Sequence, residues 1–181
     1  MKLLLDSQKI IEQFIRTRVN DAGVKGVVLG LSGGIDSAVT LALSVSALGP
    51  DNVVGLIMPF NQSESIALAS NHAKKLGVKT VEYNISDIVS SFKEVSNHYS
   101  SKTGEGNLHS RIRMSLLYGE SFSSNCLVIG TSNKSELLVG YYTKWGDGAS
   151  DFLPIGDLYK TQVYAISKDL GVPSEIIERP P

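Results

Sequence analysis

Apolar residues along the chain follow two alternating patterns. Short runs rich in β-branched residues fit buried strands at residues 27–31, 53–58, 80–85 and 127–129. Between these runs, apolar residues return every three or four positions, as in amphipathic helices, over residues 10–19, 38–48, 66–76, 107–118 and 159–170. Glycine closes three of these helices, at Gly49, Gly77 and Gly171. Strands that alternate with helices predict an α/β fold, a doubly wound parallel sheet with helices on both faces.

Two segments show neither pattern and are predicted to be loops. Residues 99–106 are polar and contain glycine. Residues 140–158 hold four glycines and a proline with little helical periodicity, and a loop of this length is usually functional or mobile. In doubly wound sheets, ligands bind beyond the carboxyl ends of the strands, so residues with chemical roles are expected there.

The composition narrows the class of protein. The 181 residues fit one domain, which we expect to span residues 1–181. Seventeen basic and 18 acidic residues give a net charge of −1, which argues against a nucleic-acid or membrane surface but not against a small anionic ligand. Cys126 is the one cysteine, so no disulfide can form within the chain. Because no apolar stretch fits a signal peptide or a membrane helix, we expect a soluble cytoplasmic protein.

A glycine-rich turn, GLSGGIDS at residues 30–37, joins the first predicted strand to the second helix. Gly33 and Gly34 let main-chain amides point inward without a Cβ in the way. The helix that follows adds its free N-terminal amides and the positive end of its dipole, and Ser32 and Ser37 add hydroxyls. The turn therefore predicts a cradle for phosphate or pyrophosphate.

Four alternative interpretations of this turn fit less well. The phosphate loop G-x-x-x-x-G-K-[ST] needs a lysine that is absent, and the spacing of G-x-G-x-x-G does not match. The hydrolase elbow G-x-S-x-G does match, with Ser32 as nucleophile, but it needs a histidine after a late strand. The three histidines fall in predicted helices or in the polar loop, at His72, His98 and His109. A turn that only closes a strand–helix junction is disfavoured by Asp36, since a carboxylate beside an anion cradle needs a cation such as Mg²⁺.

Residues 32–37, SGGIDS, resemble the SGGxDS signature of the ATP-pyrophosphatase superfamily, whose members cleave ATP between the α and β phosphates and adenylate a substrate. Three later segments are similar to the NAD synthetase family: GTSNKSE at 130–136, YTKWGDGASD at 142–151 and PIGDLYKTQV at 154–163. The segment NLHSRIRM at 107–114 is similar to the family's N-x-x-x-R-x-R-M. The resemblance covers residues 26–181 and implies a Rossmann-like fold of the adenine nucleotide alpha hydrolase type.

The resemblance also implies where ATP binds. The adenine of the family's ATP lies against the end of the second strand, where Met58 stands, and Thr131 matches an ATP-contacting threonine. Lys160 begins a predicted helix, where a cation is unfavourable unless an anion such as phosphate is close, and a surface lysine is the alternative. The full set of implied ATP contacts is Leu31, Ser32, Gly33, Gly34, Ile35, Asp36, Ser37, Met58, Thr131 and Lys160.

Asp36 and Glu136 each follow a predicted strand and form the predicted metal site. Two carboxylates from neighbouring strand ends can bind Mg²⁺ and leave positions for phosphates and water. The alternative for Glu136 is a solvated charge at the start of a helix, where the dipole favours it.

The loop at residues 140–158 is implied to receive the nicotinate end of nicotinic acid adenine dinucleotide, or deamido-NAD. Arg111 and Lys144 match family residues that contact this dinucleotide, and Asp147 lies in the same loop. An ordinary charge on the helix surface is the alternative for Arg111 and for Arg113.

Two further residues of this loop are expected near the reacting atoms. Asp151 matches a family residue close to the reacting end of the dinucleotide, and it is expected to orient or deprotonate the incoming ammonium. Tyr141 is expected to stack on the pyridine ring, with a core or rim aromatic as the alternative.

The implied enzyme is a ligase, an ammonia-dependent NAD synthetase. ATP adenylates the carboxylate of deamido-NAD, and ammonia converts the acyl-adenylate to NAD and AMP. Lys160 and Asp151 are the expected catalytic residues, Mg²⁺ the expected metal, and a homodimer the expected assembly. The helix at residues 10–19 is a candidate for the dimer interface or for ordinary core packing. We expect no glutaminase domain ahead of Met1 and therefore free ammonia as the nitrogen donor, with glutamine supplied through a separate protein as the alternative.

The end of the chain departs from the family pattern. The sequence stops at Pro180 and Pro181, where relatives continue, so we expect the family's C-terminal segment to be missing. Two alternative functions stay open. One is an ATP-binding module without synthetase turnover, and the other is an ATP-pyrophosphatase that amidates a different carboxylate, which the loop at residues 141–151 disfavours.

Overall fold

Four parallel strands form one sheet, in the order β3-β2-β1-β4, in a computed structural model that describes residues 6–61 and 63–179. The strands are β1 (Gly26–Gly30), β2 (Val53–Ile57), β3 (Lys79–Glu82) and β4 (Cys126–Val128). The helices are α1 (Ser7–Ala22), α2 (Ile35–Leu48), α3 (Glu64–Lys75), α4 (Ser86–Val95), α5 (Lys102–Ser124), α6 (Lys134–Val139), α7 (Lys160–Asp169) and α8 (Ser174–Ile177). None of the described helices is both long and apolar enough to cross a bilayer.

The sheet separates two apolar cores, because successive side chains of a strand point to opposite faces. Val27 and Leu29 pack in the core that α1, α2, α3, α7 and α8 cover. Val28 and Leu56 pack in the core on the other face, under α4 and α5. Cover on both faces explains why the strands read as nearly continuous apolar runs, and it confirms the predicted doubly wound α/β fold.

The chain reverses its direction of travel across the sheet beside β1. It moves outward from β1 to β2 and β3, and then returns to place β4 on the other side of β1. The carboxyl ends of β1 and β4 therefore form a topological switch point, where open α/β sheets bind their ligands. The glycine-rich turn follows β1 at this point, and the segment at residues 130–136 follows β4.

The prediction of a loop at residues 99–106 is wrong. A short 3₁₀ helix covers Asn97–Tyr99, and α5 begins at Lys102. Ser101 caps α5, since its backbone is extended and its Oγ accepts a hydrogen bond of 3.1 Å from the Gly104 amide. Such a cap stabilises a helix start whose residues are too polar to show a hydrophobic pattern.

Other element boundaries also differ from the sequence pattern. The third strand ends at Glu82 and not at residue 85, because Ile85 turns into the second core just before α4 begins. Helices α4, α6 and α8 had no predicted counterpart. The prediction of a long loop at residues 140–158 is confirmed, with a single bridge that pairs Ile129 and Phe152.

Candidate active site

The turn between β1 and α2 is shaped by a close approach of two main-chain segments. Gly33 has φ +78°, and a Cβ at this position would lie 2.2 Å from the Ser65 carbonyl oxygen of α3. Only glycine fits both the left-handed backbone and the contact. The Ser32 and Ser37 hydroxyls are 3.1 Å apart, and Ser37 Oγ donates to the Gly34 carbonyl over 2.9 Å. No side chain caps α2, which leaves its first amides facing the turn.

Leu31 and Ile35 take part in this turn through their main chains. Both side chains are buried in the first apolar core. The Leu31 amide donates to the Leu56 carbonyl over 2.8 Å, which continues the pairing between β1 and β2 beyond the strand ends. Any contact of these two residues with a nucleotide must therefore come from backbone atoms.

Asp36, Asn133 and Lys160 meet where the ends of β1 and β4 come together. The Lys160 ammonium forms a hydrogen-bonded ion pair with Asp36 Oδ2. The Asn133 amide nitrogen donates to Asp36 Oδ1 over 2.9 Å. Lys160 is the first residue of α7, and its unfavourable position at the positive end of a helix is offset here by the Asp36 carboxylate.

Glu136 joins this cluster through the same asparagine. Asn133 caps α6: its side-chain Oδ1 accepts a hydrogen bond of 3.1 Å from the Glu136 main-chain amide. In return, Glu136 Oε2 accepts a hydrogen bond of 3.2 Å from the Asn133 main-chain amide. Burial raises the pKa of Glu136 above its ordinary value, the bond from the Asn133 amide opposes this shift, and the negative charge of Asp36 adds to it. The structure thus brings Asp36 and Glu136 together on either side of one fully buried asparagine.

Two carboxylates beside an anion cradle fit a divalent cation. Mg²⁺ prefers oxygen ligands and is usually bound by one or two carboxylates together with substrate phosphates and water. A cation between Asp36 and Glu136 would relieve the repulsion that contributes to the raised pKa of Glu136. Within the described part of the chain no three His, Cys, Asp or Glu side chains cluster as metal ligands, so the other ligands would come from the nucleotide and from water.

A cleft of about 790 Å³ lies over the carboxyl ends of β1, β2 and β4. Its walls are the glycine-rich turn, the residues after β2, one face of α5 and the loop after α6. The predicted site residues that line it are Leu31, Ser32, Met58, Thr131, Tyr141 and Asp147. A volume of this size is typical of sites for cofactors and other small molecules.

Arg113 also lines the cleft, whereas Arg111 is the arginine predicted from the sequence to bind the substrate. Its Nε donates to the Met58 carbonyl over 2.9 Å and so fixes the chain where β2 ends. The segment at residues 107–114 was the available signal, because it contains both arginines of the family pattern.

Hydrogen bonds fasten the loop at residues 140–151 to α5. Ser110 Oγ donates to Asp147 Oδ1 over 2.7 Å and accepts from the Asp147 amide over 2.8 Å. Thr143 Oγ1 donates to Asn107 Oδ1 over 2.8 Å. A Cβ at Gly146 would lie 2.5 Å from Ser110 Oγ, so the loop approaches the helix more closely than a larger residue permits. The cleft therefore has an ordered wall on this side.

Three predicted substrate residues lie at the exposed edge of this wall. Arg111 Nε donates to the Lys144 carbonyl over 3.2 Å, and the Lys144 ammonium lies 5.4 Å from the centre of the Trp145 ring. Arg111 and Lys144 are absent from the residues that line the cleft in the described part of the chain. Tyr141 stands at the cleft with 79% of its surface exposed, so its ring is free to contact a ligand.

Asp151 lies beside the open edge of β4. Its Oδ2 accepts from the Val128 amide over 2.6 Å, and its own amide donates to the Val128 carbonyl over 2.8 Å. The Tyr118 hydroxyl is 3.4 Å from Asp151 Oδ1, and burial together with this negative charge raises the pKa of Tyr118. The carboxylate of Asp151 is thereby held in one position at the surface.

The hydrolase interpretation of the turn has no support in the geometry. Ser32 Oγ is hydrogen-bonded to Ser37 Oγ and to the Gly34 amide. His72 Nε2 lies 3.2 Å from the Ala38 carbonyl, and the ring of His109 stacks on Phe60 with centroids 4.3 Å apart. Among the residues that are described, no histidine is hydrogen-bonded to the serine that the elbow would use.

Comparison with known proteins places this chain in a family. The chain matches the NAD synthase family over residues 8–181. It is 44% identical to the NH(3)-dependent NAD(+) synthetase of Thermococcus sibiricus, over 98% of this chain and 71% of that protein. Its identity to the protein of the same name from Archaeoglobus fulgidus is 50%, over 98% of this chain and 74% of that protein.

Solved structures agree with the sequence comparison. The NH3-dependent NAD synthetase of Campylobacter jejuni, in complex with nitrate, aligns with a TM-score of 0.92 at 42% identity over 96% of this chain and 76% of that one. The NMN synthetase of Francisella tularensis also aligns with a TM-score of 0.92, at 33% identity over 97% of this chain and 74% of that one. The chain belongs to the NAD synthase family.

Proposed function

We propose that this protein is an ammonia-dependent NAD synthetase, a ligase that uses ATP to amidate deamido-NAD and yields NAD, AMP and pyrophosphate. The observation that carries the proposal is the cluster of Asp36, Asn133, Glu136 and Lys160 beside the glycine-rich turn, in a chain of the NAD synthase family. This cluster has the carboxylates, the ammonium and the amides that a triphosphate with its metal requires.

The first step is adenylation of the substrate carboxylate. A carboxylate oxygen attacks the α-phosphorus of ATP, and the bond from that phosphorus to the oxygen of the β-phosphate breaks. The pyrophosphate leaves into the cradle at residues 32–37, where amides and the Ser32 and Ser37 hydroxyls stabilise its charge. Lys160 moves from Asp36 to a phosphate oxygen. Most of the rate gain comes from positioning and from charge neutralisation.

Mg²⁺ is the proposed metal, held by Asp36 and Glu136. When bound, it neutralises the charge that develops on the departing pyrophosphate. The hydrogen bond from the Asn133 side chain to Asp36 also joins the start of α6 to the start of α2.

Ammonia attacks the acyl carbon in the second step. The bond from this carbon to the adenylate oxygen breaks, AMP leaves with that oxygen, and the nitrogen releases its surplus proton to water to give the amide. Asp151 takes a proton from the incoming ammonium, so that neutral ammonia is the nucleophile. The bonds of Asp151 to Val128 and Tyr118 support this role, since they fix the orientation of its carboxylate.

The loop at residues 140–151 is the proposed site of the dinucleotide. Tyr141 stacks on the pyridine ring, and Arg111, Lys144 and Asp147 hold the loop or contact the dinucleotide directly. The reciprocal bonds between Asp147 and Ser110 support this assignment, because they give the loop a fixed shape before substrate arrives.

We further propose a cytoplasmic homodimer. Two exposed apolar side chains, Val95 on α4 and Phe122 on α5, support the proposal, because a partner chain would remove such surface from water. In α1, the side chains of Ile11, Ile15 and Val19 pack into the core, so this face of the helix is not available for a dimer interface. Sedimentation equilibrium of the protein would give twice the chain mass, and a monomer at micromolar concentration would contradict the dimer.

A second candidate is amidation of the mononucleotide, to give NMN. The structural similarity to the Francisella tularensis NMN synthetase favours it. The two candidates differ in how much of the cleft the acid substrate fills, and a direct comparison of both acids separates them.

The function is tested by incubating the protein with ATP, Mg²⁺, ammonium and deamido-NAD while NAD and AMP are measured. We expect equal amounts of both products, and neither when one component is omitted. Replacing deamido-NAD by nicotinic acid mononucleotide should give at least tenfold slower AMP formation. Faster amidation of the mononucleotide, or no NAD in the complete mixture, would reject the proposed function.

A further inference from the structure

Two arginines of α5 stand two residues apart and face different surroundings. Residues at this spacing lie on different sides of a helix. Arg111 faces the loop, where its Nε donates to the Lys144 carbonyl, and it is not among the described residues that line the cleft. Arg113 is half-buried and lines the cleft together with Met58, whose carbonyl it contacts. Of the two, Arg113 is therefore the one directed at the space that a ligand would fill.

The guanidinium of Arg113 is a charge without an acidic partner in the described part of the chain. No Asp or Glu carboxylate there lies within 4.0 Å of it, in contrast to Arg16, which pairs with Glu12. Burial lowers the pKa of Arg113, and the more distant charge of Asp147 opposes this shift. An arginine keeps its proton in proteins, so the group remains a partly desolvated cation.

Such a cation costs free energy unless an anion compensates it when the site is filled. A guanidinium has five N–H donors in a planar fork, and the one on Nε is used by Met58. The remaining donors match two oxygens of a phosphate or a carboxylate. The bond to Met58 holds the fork in place before the ligand arrives.

We propose that Arg113 is a substrate-binding residue whose guanidinium contacts an oxyanion, phosphate or carboxylate, of a nucleotide bound in the cleft. The oxyanion belongs either to ATP or to the acid that is amidated. The proposal rests on the proposed function for the identity of these nucleotides, and on the position of Arg113 for the contact itself.

The test is the change Arg113→Met, which removes the charge and the donors but keeps an apolar stem of similar length. Arg18→Met is the matched control, because Arg18 is exposed on α1. Binding of three ligands is measured by calorimetry in the presence of Mg²⁺: ATP, adenosine, and deamido-NAD added after a non-hydrolysable ATP analogue. Adenosine has the base and ribose of ATP without the charged phosphates. Its affinity therefore does not depend on an oxyanion contact, and a change in it would indicate that the end of β2 at Met58 has moved.

We expect Arg113→Met to weaken either ATP or deamido-NAD by about 10- to 100-fold, with adenosine unchanged. A loss confined to ATP assigns the oxyanion to ATP, and a loss confined to deamido-NAD assigns it to the acid. Equal weakening of ATP and adenosine with deamido-NAD unchanged would mean that Arg113 only positions Met58, and it would overturn the proposal. Unchanged binding of all three ligands would overturn it as well.

A folding defect is separated from a binding defect by a second variant. If Arg113→Met does not fold, Arg113→Lys keeps a cation but loses the planar fork, so weaker binding of the charged ligand relative to adenosine still supports the contact. An unchanged ratio of the two affinities in Arg113→Lys rejects it. Failure of the proposed function shows differently, as absence of NAD formation by the unaltered protein.

Discussion

Asn133 links the two carboxylates of the candidate metal site at the scale of single residues. Its side chain donates to Asp36 and accepts from the Glu136 amide, and it is fully buried. An asparagine can do both, because it has an amide donor and a carbonyl acceptor. The Asp36 carboxylate is therefore held by the Asn133 side chain, and the Glu136 carboxylate by the Asn133 main-chain amide.

Asp36→Asn should abolish adenylation while the fold survives. The amide oxygen still accepts from Asn133, but the charge that faces Lys160 and the proposed metal is lost. We expect AMP formation to fall by on the order of 100-fold or more. Asp21→Asn, at an exposed position of α1, is the control and should leave the rate unchanged. Equal rates for both variants would remove Asp36 from the active site.

Glu136→Gln should stabilise the metal-free protein at neutral pH and inactivate it. Because the pKa of Glu136 is raised, the folded state binds this proton more tightly than the unfolded chain does. Stability therefore falls as pH rises from the ordinary carboxyl pKa through the raised one, and glutamine removes that loss.

Thermal unfolding in chelator at two pH values measures this effect. The variant should unfold at a higher temperature than the unaltered protein at pH 8, and the difference should vanish below about pH 3, where Glu136 is protonated in both states. Glu178→Gln, at an exposed position, should show no such pH dependence. A variant that is less stable at pH 8 would mean that the capping bond to Asn133 outweighs the charge.

The site residues that follow strand ends could be predicted from the sequence, because a parallel sheet brings the carboxyl ends of its strands to one edge. Asp36 comes after β1 and Glu136 after β4, and the sheet places these ends side by side. The sequence predicts Arg111 and not Arg113 as the substrate-binding arginine, since the side of α5 that faces the cleft depends on how Leu108 and Ile112 pack into the second core.

At the scale of elements, the contact between the glycine-rich turn and α3 sets the shape of the cradle. Gly33→Ala would place a Cβ 2.2 Å from the Ser65 carbonyl at a φ of +78°. We expect a loss of stability of at least about 1 kcal/mol from the backbone conformation alone, together with loss of ATP binding.

Gly119→Ala is the matched control for this glycine. Gly119 lies inside α5 with nothing within 4 Å of an added Cβ, so alanine should raise the free energy of unfolding by roughly 0.5–1 kcal/mol. Chemical denaturation of both variants measures the contrast. A Gly33→Ala protein with normal stability and ATP affinity would show that the turn adapts.

The attachment of the loop at residues 140–151 to α5 should govern the acid substrate more than ATP. Ser110→Ala removes two hydrogen bonds to Asp147, so the KM for deamido-NAD should rise roughly tenfold, with a smaller change for ATP. Ser115→Ala on the same helix is the control, because its hydroxyl contacts only the Arg111 carbonyl. Equal changes in both KM values would mean that the loop serves the whole cleft.

Elements that depend on caps rather than on apolar periodicity were hidden from the sequence pattern. The start of α5 is polar and is fixed by Ser101, and α6 depends on the Asn133–Glu136 box. The long loop could be predicted from the sequence, but its attachment to α5 could not. Ser110, Asn107 and Thr143 are ordinary polar residues, and nothing in their spacing indicates that they are hydrogen-bonded across the two segments.

At the scale of the whole molecule, the order β3-β2-β1-β4 would let one cleft serve the two proposed substrates. The glycine-rich turn and the carboxylates follow β1 and β4 at the switch point, and the cleft lies over the carboxyl ends of β1, β2 and β4, although Asp36 and Glu136 are not among the described residues that line it. ATP bound along the turn and an acid held by the loop would meet above β1 and β4. In the proposed mechanism, ATP and the acid react there to form an acyl-adenylate.

Transfer of a carboxylate oxygen from deamido-NAD to AMP tests whether an acyl-adenylate forms. Deamido-NAD labelled with ¹⁸O in its nicotinate carboxylate is converted with ATP, Mg²⁺ and ammonium, and the products are analysed by mass spectrometry. Attack of the carboxylate on the α-phosphorus predicts that each AMP carries one labelled oxygen and that pyrophosphate carries none. Unlabelled AMP, or label in pyrophosphate or inorganic phosphate, would contradict the account.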